Sequence, residues 1–67
     1  MNTGIVFSDR EFEIIRLIET GLSTEQIAKK IFLSPYTVNT HRGNILKKTS
    51  KTNIAELIYD LKERGEL

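Results

Sequence analysis

Hydrophobic residues recur every three or four positions through most of the chain, and this spacing places side chains on one face of an α-helix. The alternation of apolar and polar residues that marks a half-buried strand does not compete with it. The pattern therefore predicts an all-α fold of four helices, each with one apolar stripe. The stripes contain Ile14, Ile15, Leu17 and Ile18; Ile27, Ala28 and Ile31; Val38 and Ile45; and Leu57, Ile58 and Leu61.

Capping signals mark the start of each predicted helix. Two of them are a serine followed three residues later by Glu or Gln, the capping box in which side chain and backbone satisfy each other. A third is a serine before Pro35, and proline suits the first helical position because its missing N–H would be unpaired there anyway. The predicted caps are Ser8, Ser23, Ser34 and Asn53, and the predicted helix ends lie near Gly21 and Gly65.

The connection between the second and third helices is predicted to be very short, about three residues around 32–34. Two helices joined so tightly within a four-helix unit predict a helix-turn-helix, whose second helix enters the major groove of DNA. The predicted domain covers residues 7–67, and residues 1–6 are predicted to form a flexible N-terminal arm.

The third helix has an unusual outward face. With about 100° per residue, Val38 and Ile45 point to the core, and the opposite side holds neutral polar residues with a single charge, at Lys47. Asparagine can bond two edge atoms of adenine, and threonine offers a hydroxyl or a methyl group to a base. A glycine in mid-helix costs about 1 kcal/mol relative to alanine, so close approach to a groove is one explanation for it. The predicted base-reading residues are Asn39, Thr40 and Gly43.

Charge is distributed unevenly along the chain, although the formal net charge is only +1. Six basic residues and no acid lie between positions 29 and 51, and all nine acids lie outside that segment. A basic centre between acidic flanks favours a polyanionic partner. The residues predicted to contact the DNA backbone are Ser23, Thr24, Lys30, Ser34, Tyr36, Thr37, His41, Arg42, Lys47, Lys48 and Lys51.

The fourth helix carries more apolar residues than one core-facing stripe needs, since Tyr59 adds to its aliphatic set. Some of these side chains should remain for a partner, which favours a homodimer with two-fold related half-sites about one DNA turn apart. The predicted dimer contact contains Ile54, Leu57, Ile58 and Leu61.

Several other classes of function are disfavoured by the composition. The chain has no cysteine and a single histidine, His41, with no acid within two turns of it, so neither a metal site nor a catalytic group is expected. No cofactor or small-molecule ligand is expected, and the chain is not expected to be an enzyme. The apolar runs are too short to span a membrane and no signal peptide is visible, so a cytoplasmic protein with no membrane partner is expected.

An ordered set of short motifs runs through the first three predicted helices: SDRE at 8–11, GLS at 21–23, QIA at 26–28, LS at 33–34, TV at 37–38, His41, NI at 44–45 and Lys48. This set resembles the LuxR/GerE/NarL-type helix-turn-helix domain of bacterial transcription regulators, over about residues 7–67. The resemblance implies four helices, a third helix that reads the major groove, and a fourth that often forms a dimer contact. It also places groove-reading positions at Asn39, Thr40 and Gly43.

The sequence departs from the family pattern at five positions, which prevents transfer of a target site from any relative. Many members have lysine at the position of Asn39 and a longer contact residue at that of Gly43. Leucine is usual where this chain has Thr49, an apolar residue where it has Lys51, and arginine where it has Ile54. Most members also carry a receiver or ligand-binding domain, so the chain is expected to be an excised response-regulator effector domain or a stand-alone GerE-type regulator.

The function predicted from these features is sequence-specific binding of duplex DNA by a dimer that regulates bacterial transcription. The alternative is a helix-turn-helix that docks on RNA polymerase, as a sigma-like region does. The alternative predicts that Asn39→Ala and Thr40→Ala leave function intact, whereas changes in the fourth helix abolish it.

Overall fold

A computed structural model of the chain describes residues 7–67, so the arm predicted for residues 1–6 lies outside the described residues. This part of the chain contains four helices and no strand: α1 (Asp9–Glu19), α2 (Thr24–Ile31), α3 (Pro35–Thr49) and α4 (Ile54–Glu63). The all-α, four-helix prediction is confirmed. None of the four helices is long and apolar enough to cross a membrane.

Each helix begins at the residue that the capping signals predicted. Ser8 accepts the backbone N–H of Glu11 at 3.1 Å, and the Glu11 carboxylate accepts the N–H of Ser8 at 2.9 Å, which completes a capping box. A second capping box joins Ser23 to Gln26 at the start of α2. Ser34 and Asn53 cap α3 and α4 in the same way, by accepting an N–H three residues ahead. These local bonds satisfy donors that a helix start would otherwise leave unpaired.

Two hydrophobic clusters form the interior, and α3 belongs to both. The first joins α1, α2 and the start of α3 through Ile14, Ile27, Ala28, Ile31 and Val38. The second joins α1, the end of α3 and α4 through Ile15, Ile45, Ile54, Leu57 and Leu61. Since α3 is anchored in both clusters, its buried side is fixed along the whole helix, and its opposite side is held outward.

The turn between α2 and α3 is as short as predicted. Phe32 ends α2 in the left-handed region, with φ of 59°, and the N–H of Leu33 donates to the carbonyl of Ala28 at 2.9 Å. A left-handed conformation costs an ordinary L-residue about 1–2 kcal/mol, and glycine more often occupies such a position. The Phe32 side chain is 92% exposed, so burial does not offset this cost. The tight turn nevertheless fixes the angle between the two helices.

A charged contact between α1 and α3 was not predicted. Glu11 lies on the same face of α1 as Ile14 and Ile15 and is only 8% exposed, and the Nζ of Lys48 lies 2.6 Å from its carboxylate. The hydrogen bond from Lys48 lowers the pKa of Glu11 below its ordinary value of 4.5; burial opposes this shift and the backbone N–H of Ser8 reinforces it. The pair therefore holds the end of α3 to the start of α1 in its ionised form.

Candidate nucleic-acid interface

The exposed face of α3 is the one predicted from helical spacing. Val38 and Ile45 are fully buried, whereas the side chain of Tyr36 is 81% exposed. The remaining members of the predicted outward face are also exposed: Asn39, Thr40, Gly43 and Lys47. No acidic residue occurs anywhere in α3. The surface that α3 offers is thus polar, free of negative charge and open to a partner.

Hydrogen bonds already orient two of the predicted base-reading side chains. The hydroxyl of Thr24, the first residue of α2, donates to Oδ1 of Asn39 at 3.4 Å. The hydroxyl of Thr40 donates to the carbonyl of Tyr36, one turn earlier in α3, at 3.1 Å. Thr40 therefore retains its oxygen lone pairs and its methyl group for a partner, since its one O–H is used within the helix.

Gly43 occupies a position that no contact with another described residue reserves for glycine. Its φ is not in the left-handed region, and a Cβ added there would meet no atom within 4 Å. Alanine would fit this site and favour the helix. The packing of residues 7–67 therefore does not account for glycine here.

Basic side chains fall into two groups according to whether they have an ion-pair partner. Within residues 7–67, every ion pair uses a carboxylate of α1 or α4. No such pair involves Lys29, Lys30, Arg42 or Lys47, which all belong to α2 or α3. The unpaired cations among the described residues are thus concentrated on the two helices of the helix-turn-helix, with Arg16 as the exception on α1.

Two lysines predicted to contact the DNA backbone are held by carboxylates of the same chain, and their contact with DNA stays a prediction. Lys48 is bound to Glu11 and also lies 5.7 Å from the centroid of the Phe7 ring. Lys51 lies 3.5 Å from the carboxylate of Asp60 on α4. Each ammonium group would have to leave its partner before it could neutralise a phosphate.

The hydroxyl groups predicted to contact phosphates lie at the starts of α2 and α3, where the serines are exposed and Thr24 and Thr37 are half-buried. Ser23 and Ser34 use their oxygens to cap these helices, and the hydroxyls of Ser34 and Thr37 lie 3.0 Å apart. His41 and Arg42 are half-buried beside the core face. Arg42 lines an open groove of about 600 Å³ between α1, α3 and α4 rather than the centre of the exposed face.

Three of the four residues in the predicted dimer contact on α4 are buried within the domain. Ile54, Leu57 and Leu61 are each at most 4% exposed because α4 packs them against α1 and α3, so they offer no surface to a partner. Ile58 is half-buried, and Tyr59, which adjoins it, is 67% exposed. Both line the open groove that also contains Arg42. The apolar surface left on α4 is therefore narrower than predicted and centred on these two residues.

No group of three or more His, Cys, Asp or Glu side chains that could hold a metal ion occurs among residues 7–67.

The four helices, the tight α2–α3 turn and the acid-free exposed face of α3 together define a helix-turn-helix DNA-binding domain. The model for bacterial regulatory proteins of the luxR family matches residues 5–59, and the chain belongs to this family. The resemblance predicted from the motifs is confirmed, and the family the chain belongs to is one of bacterial regulatory proteins.

Similar proteins are found among longer bacterial regulators. BvgA of Bordetella pertussis, whose name describes a positive transcription regulator of virulence factors, is 40% identical over 62 residues, which cover 92% of this chain and 29% of BvgA. The Fimbriae Z protein of Escherichia coli K12 is 44% identical over 57 residues, 85% of this chain and 27% of that protein. The crystal structure of Escherichia coli SdiA matches 98% of this chain and 28% of its own, with a TM-score of 0.88 and 32% identity. The chain thus spans under a third of the length of each relative.

Proposed function

We propose that this domain binds duplex DNA sequence-specifically, with α3 in the major groove, and thereby regulates transcription in the bacterial cytoplasm. The observation that carries the proposal is the exposed face of α3, which is polar, lacks acids and is flanked by cations without an ion-pair partner among residues 7–67. An ordinary solvated helix face more often carries Glu and Lys in pairs four residues apart. A negatively charged groove instead favours a face without carboxylates.

The proposed roles of the side chains differ across this surface. Asn39 reads adenine through its amide, and Thr40 offers its methyl group to thymine or its oxygen to a base donor. Gly43 allows the backbone of α3 to approach the groove. Phosphates are bound by the starts of α2 and α3 and by cations that have no ion-pair partner among residues 7–67, with His41 and Arg42 at the flank. The proposed phosphate-binding set is Ser23, Lys30, Ser34, Tyr36, Thr37 and Lys47.

The domain is proposed to act as a homodimer that uses the exposed strip on α4. Ile58, a member of the predicted contact, and its neighbour Tyr59 border the open groove. A two-fold axis at this strip would carry two α3 helices to half-sites about one DNA turn apart. Sedimentation of the wild type and of Tyr59→Ala over a range of protein concentrations tests the contact. The Tyr59→Ala dimer should dissociate at a higher protein concentration than the wild-type dimer. Equal dimerisation of the two proteins would show that Tyr59 is not part of the dimer contact.

Selection of bound duplexes from a random-sequence pool is the experiment that tests DNA recognition. Wild-type protein should recover a two-part motif, and Asn39→Ala should lose discrimination at one base pair per half-site by roughly 5- to 150-fold, the range of one bidentate contact. The matched control is Lys62→Gln on α4, which should leave the motif unchanged. A folded wild-type domain that binds no duplex at about 50 mM salt would refute the proposal. Retained promoter function in Asn39→Ala and Thr40→Ala, with loss in α4 variants, would instead favour docking on RNA polymerase.

A further inference from the structure

One side-chain contact joins the two helices of the helix-turn-helix at the reading surface. Thr24 is the first residue of α2, and its Oγ lies 3.4 Å from Oδ1 of Asn39, in the second turn of α3. Thr24 is half-buried, whereas Asn39 is exposed. The capping box of Ser23 and Gln26 fixes the backbone on both sides of Thr24. The hydroxyl is thus presented to Asn39 from a rigid helix start.

This contact changes what the Thr24 hydroxyl is free to do. Threonine has one O–H, and phosphate oxygens at neutral pH are chiefly acceptors. While that O–H donates to Asn39, it cannot donate to a phosphate as well. The same bond uses only one of the two lone pairs on Oδ1, so Asn39 can still accept from a base and its NH₂ group can still donate.

We propose that Thr24 is a positioning residue for base recognition, holding the Asn39 amide so that its two polar atoms are aligned with a base edge. The inference rests on the proposed DNA-binding function and refines it. Bidentate recognition of adenine needs the amide oxygen and nitrogen in one orientation, whereas a free exposed asparagine samples several rotamers and both amide flips. Avoiding the ordering of one such side chain on binding corresponds to roughly a 2- to 10-fold gain in affinity.

The bond is long, so Thr24 biases the orientation of the Asn39 amide without adding much to the stability of the fold. Hydroxyl hydrogen bonds are most often about 2.7–2.8 Å long, so a bond of 3.4 Å contributes little to folding. Removal of the hydroxyl should therefore leave the fold intact. Thr24→Val suits this test because valine keeps the shape and the β-branch of threonine and has nearly the same helix propensity.

The first test measures discrimination between bases. The probes are the duplex recovered by selection with the wild type and its single base-pair variants, and Asn39→Ala identifies the base pair that Asn39 reads. Thr24→Val should reduce discrimination at that base pair by roughly 2- to 10-fold and leave it unchanged elsewhere. Thr24→Ser, which keeps the hydroxyl, should retain wild-type discrimination. In the Asn39→Ala background, Thr24→Val should have no further effect on it.

A phosphate contact by Thr24 would give a different result. Its loss would weaken binding to every duplex by the same factor, and it would do so in the Asn39→Ala background too. That outcome would overturn the positioning role while leaving sequence-specific DNA binding intact. Failure of the folded wild type to select any duplex would instead overturn the proposed function itself.

The second test needs no DNA, so it examines the positioning of Asn39 separately from the question of whether the domain binds DNA. Nitrogen-15 relaxation of the Asn39 side-chain NH₂ group reports its order in the free protein. The order should be high in the wild type and in Thr24→Ser, and lower in Thr24→Val, while the backbone of α3 stays rigid in all three. Equal side-chain order in the wild type and Thr24→Val would overturn the proposal. Thermal unfolding of each variant confirms the fold, and Thr24→Ala replaces Thr24→Val if the latter does not fold.

Discussion

The α2–α3 unit, residues 24–49, and the rest of the chain use their charged side chains in different ways. The unit has five basic residues and one acid, a formal charge of +4, whereas the rest has five basic residues and eight acids, a formal charge of −3. Among residues 7–67, one ion pair joins α1 and α4 directly, the 2.9 Å contact of Lys62 with Glu19. Four of the five cations of the unit have no such partner within residues 7–67.

This difference separates the charges that stabilise the fold from the charges that are available to bind a partner. Charges that neutralise one another hold the domain's own helices together, although each exposed pair contributes only about 0–1 kcal/mol. Unpaired charges of one sign repel one another and gain a favourable partner only from outside the chain. Lys48 is the exception that connects the two regions, because it belongs to α3 by sequence and to α1 by its ion pair. The comparison therefore predicts that substitutions will affect either folding or binding according to the region they reach.

The largest effect is expected at the buried side of α3. Ile45→Ala removes a fully buried side chain from the cluster shared with α1 and α4 and should lower the free energy of unfolding by about 2–5 kcal/mol. A domain of this size has roughly 3–10 kcal/mol in total, so much of the variant should be unfolded near room temperature. Urea unfolding followed by far-ultraviolet circular dichroism measures the change.

The matched control for Ile45→Ala lies on the opposite side of the same helix. Thr40→Ala should change the free energy of unfolding by no more than about 0.5 kcal/mol, because Thr40 is exposed. Its effect should instead appear in DNA binding. A loss below about 1 kcal/mol in Ile45→Ala would contradict the two-cluster arrangement in which α3 is the shared helix.

A smaller effect is expected from the ion pair that crosses between the regions. Lys48→Met leaves the nearly buried Glu11 without its cation and should cost about 1–3 kcal/mol of stability. Lys62→Met removes a more exposed pair with Glu19 and should cost at most about 1 kcal/mol. Urea unfolding at pH 7 compares the two variants, and equal losses would contradict a special role for Lys48.

The same pair predicts a dependence of stability on pH. The pKa of Glu11 is lowered in the folded state, chiefly by Lys48, so between that pKa and the ordinary value of 4.5 the unfolded chain binds more protons. The contribution is therefore present above pH 4.5 and is lost as the pH falls towards the folded pKa. Unfolding free energies measured from pH 6 to pH 3, an acid range of about three units, should fall more steeply in the wild type than in Lys48→Met.

The sequence predicted local features well because their causes are local. The caps at Ser8, Ser23, Ser34 and Asn53 depend on residues within one turn, and the exposed side of α3 depends on its own apolar spacing. Partners from other helices were missed, because a helical period does not show which neighbour faces a side chain. The ion pairs of Lys48 with Glu11 and of Lys51 with Asp60 are the examples.

Two of the structural features missed in the sequence could have been inferred from it, and one could not. Glu11 precedes Ile14 and Ile15 by three and four residues, so a helical projection puts a carboxylate on the core face, where a cation must accompany it. On α4, burial of three aliphatic residues follows once the helix packs against both α1 and α3. The contact of Thr24 with Asn39 depends on the angle set by the α2–α3 turn and could not be predicted from spacing.

A smaller effect is expected at Gly43, where a substitution should raise the stability of the domain and weaken its binding to DNA. Gly43→Ala should raise the free energy of unfolding by about 0.5–1 kcal/mol, because alanine favours the helix and its Cβ meets no atom within 4 Å. The same methyl group should weaken binding to the selected duplex if α3 approaches the groove closely at this point. Urea unfolding and fluorescence anisotropy test the two halves. Greater stability with unchanged binding would remove Gly43 from the interface.

The smallest change in stability, close to zero, is expected for Lys47→Gln. The effect of this substitution should appear in the salt dependence of DNA binding, where Lys62→Gln is the control. Lys47→Gln removes an exposed charge without an ion-pair partner among residues 7–67, whereas Lys62→Gln removes one paired with Glu19 across α1 and α4. If Lys47 binds a phosphate, its loss should reduce the slope of log K against log salt by about 0.9 in magnitude. Lys62→Gln should leave the slope unchanged.

Anisotropy titrations of one labelled duplex at several salt concentrations measure these slopes for the wild type and both variants. The comparison is informative because both substitutions remove one positive charge, so a general change in net charge would affect them equally. A loss confined to Lys47→Gln would locate the DNA on the α2–α3 unit. Equal slopes in the two variants would mean that the domain's overall charge, rather than the unpaired cations of α2 and α3, attracts the polyanion.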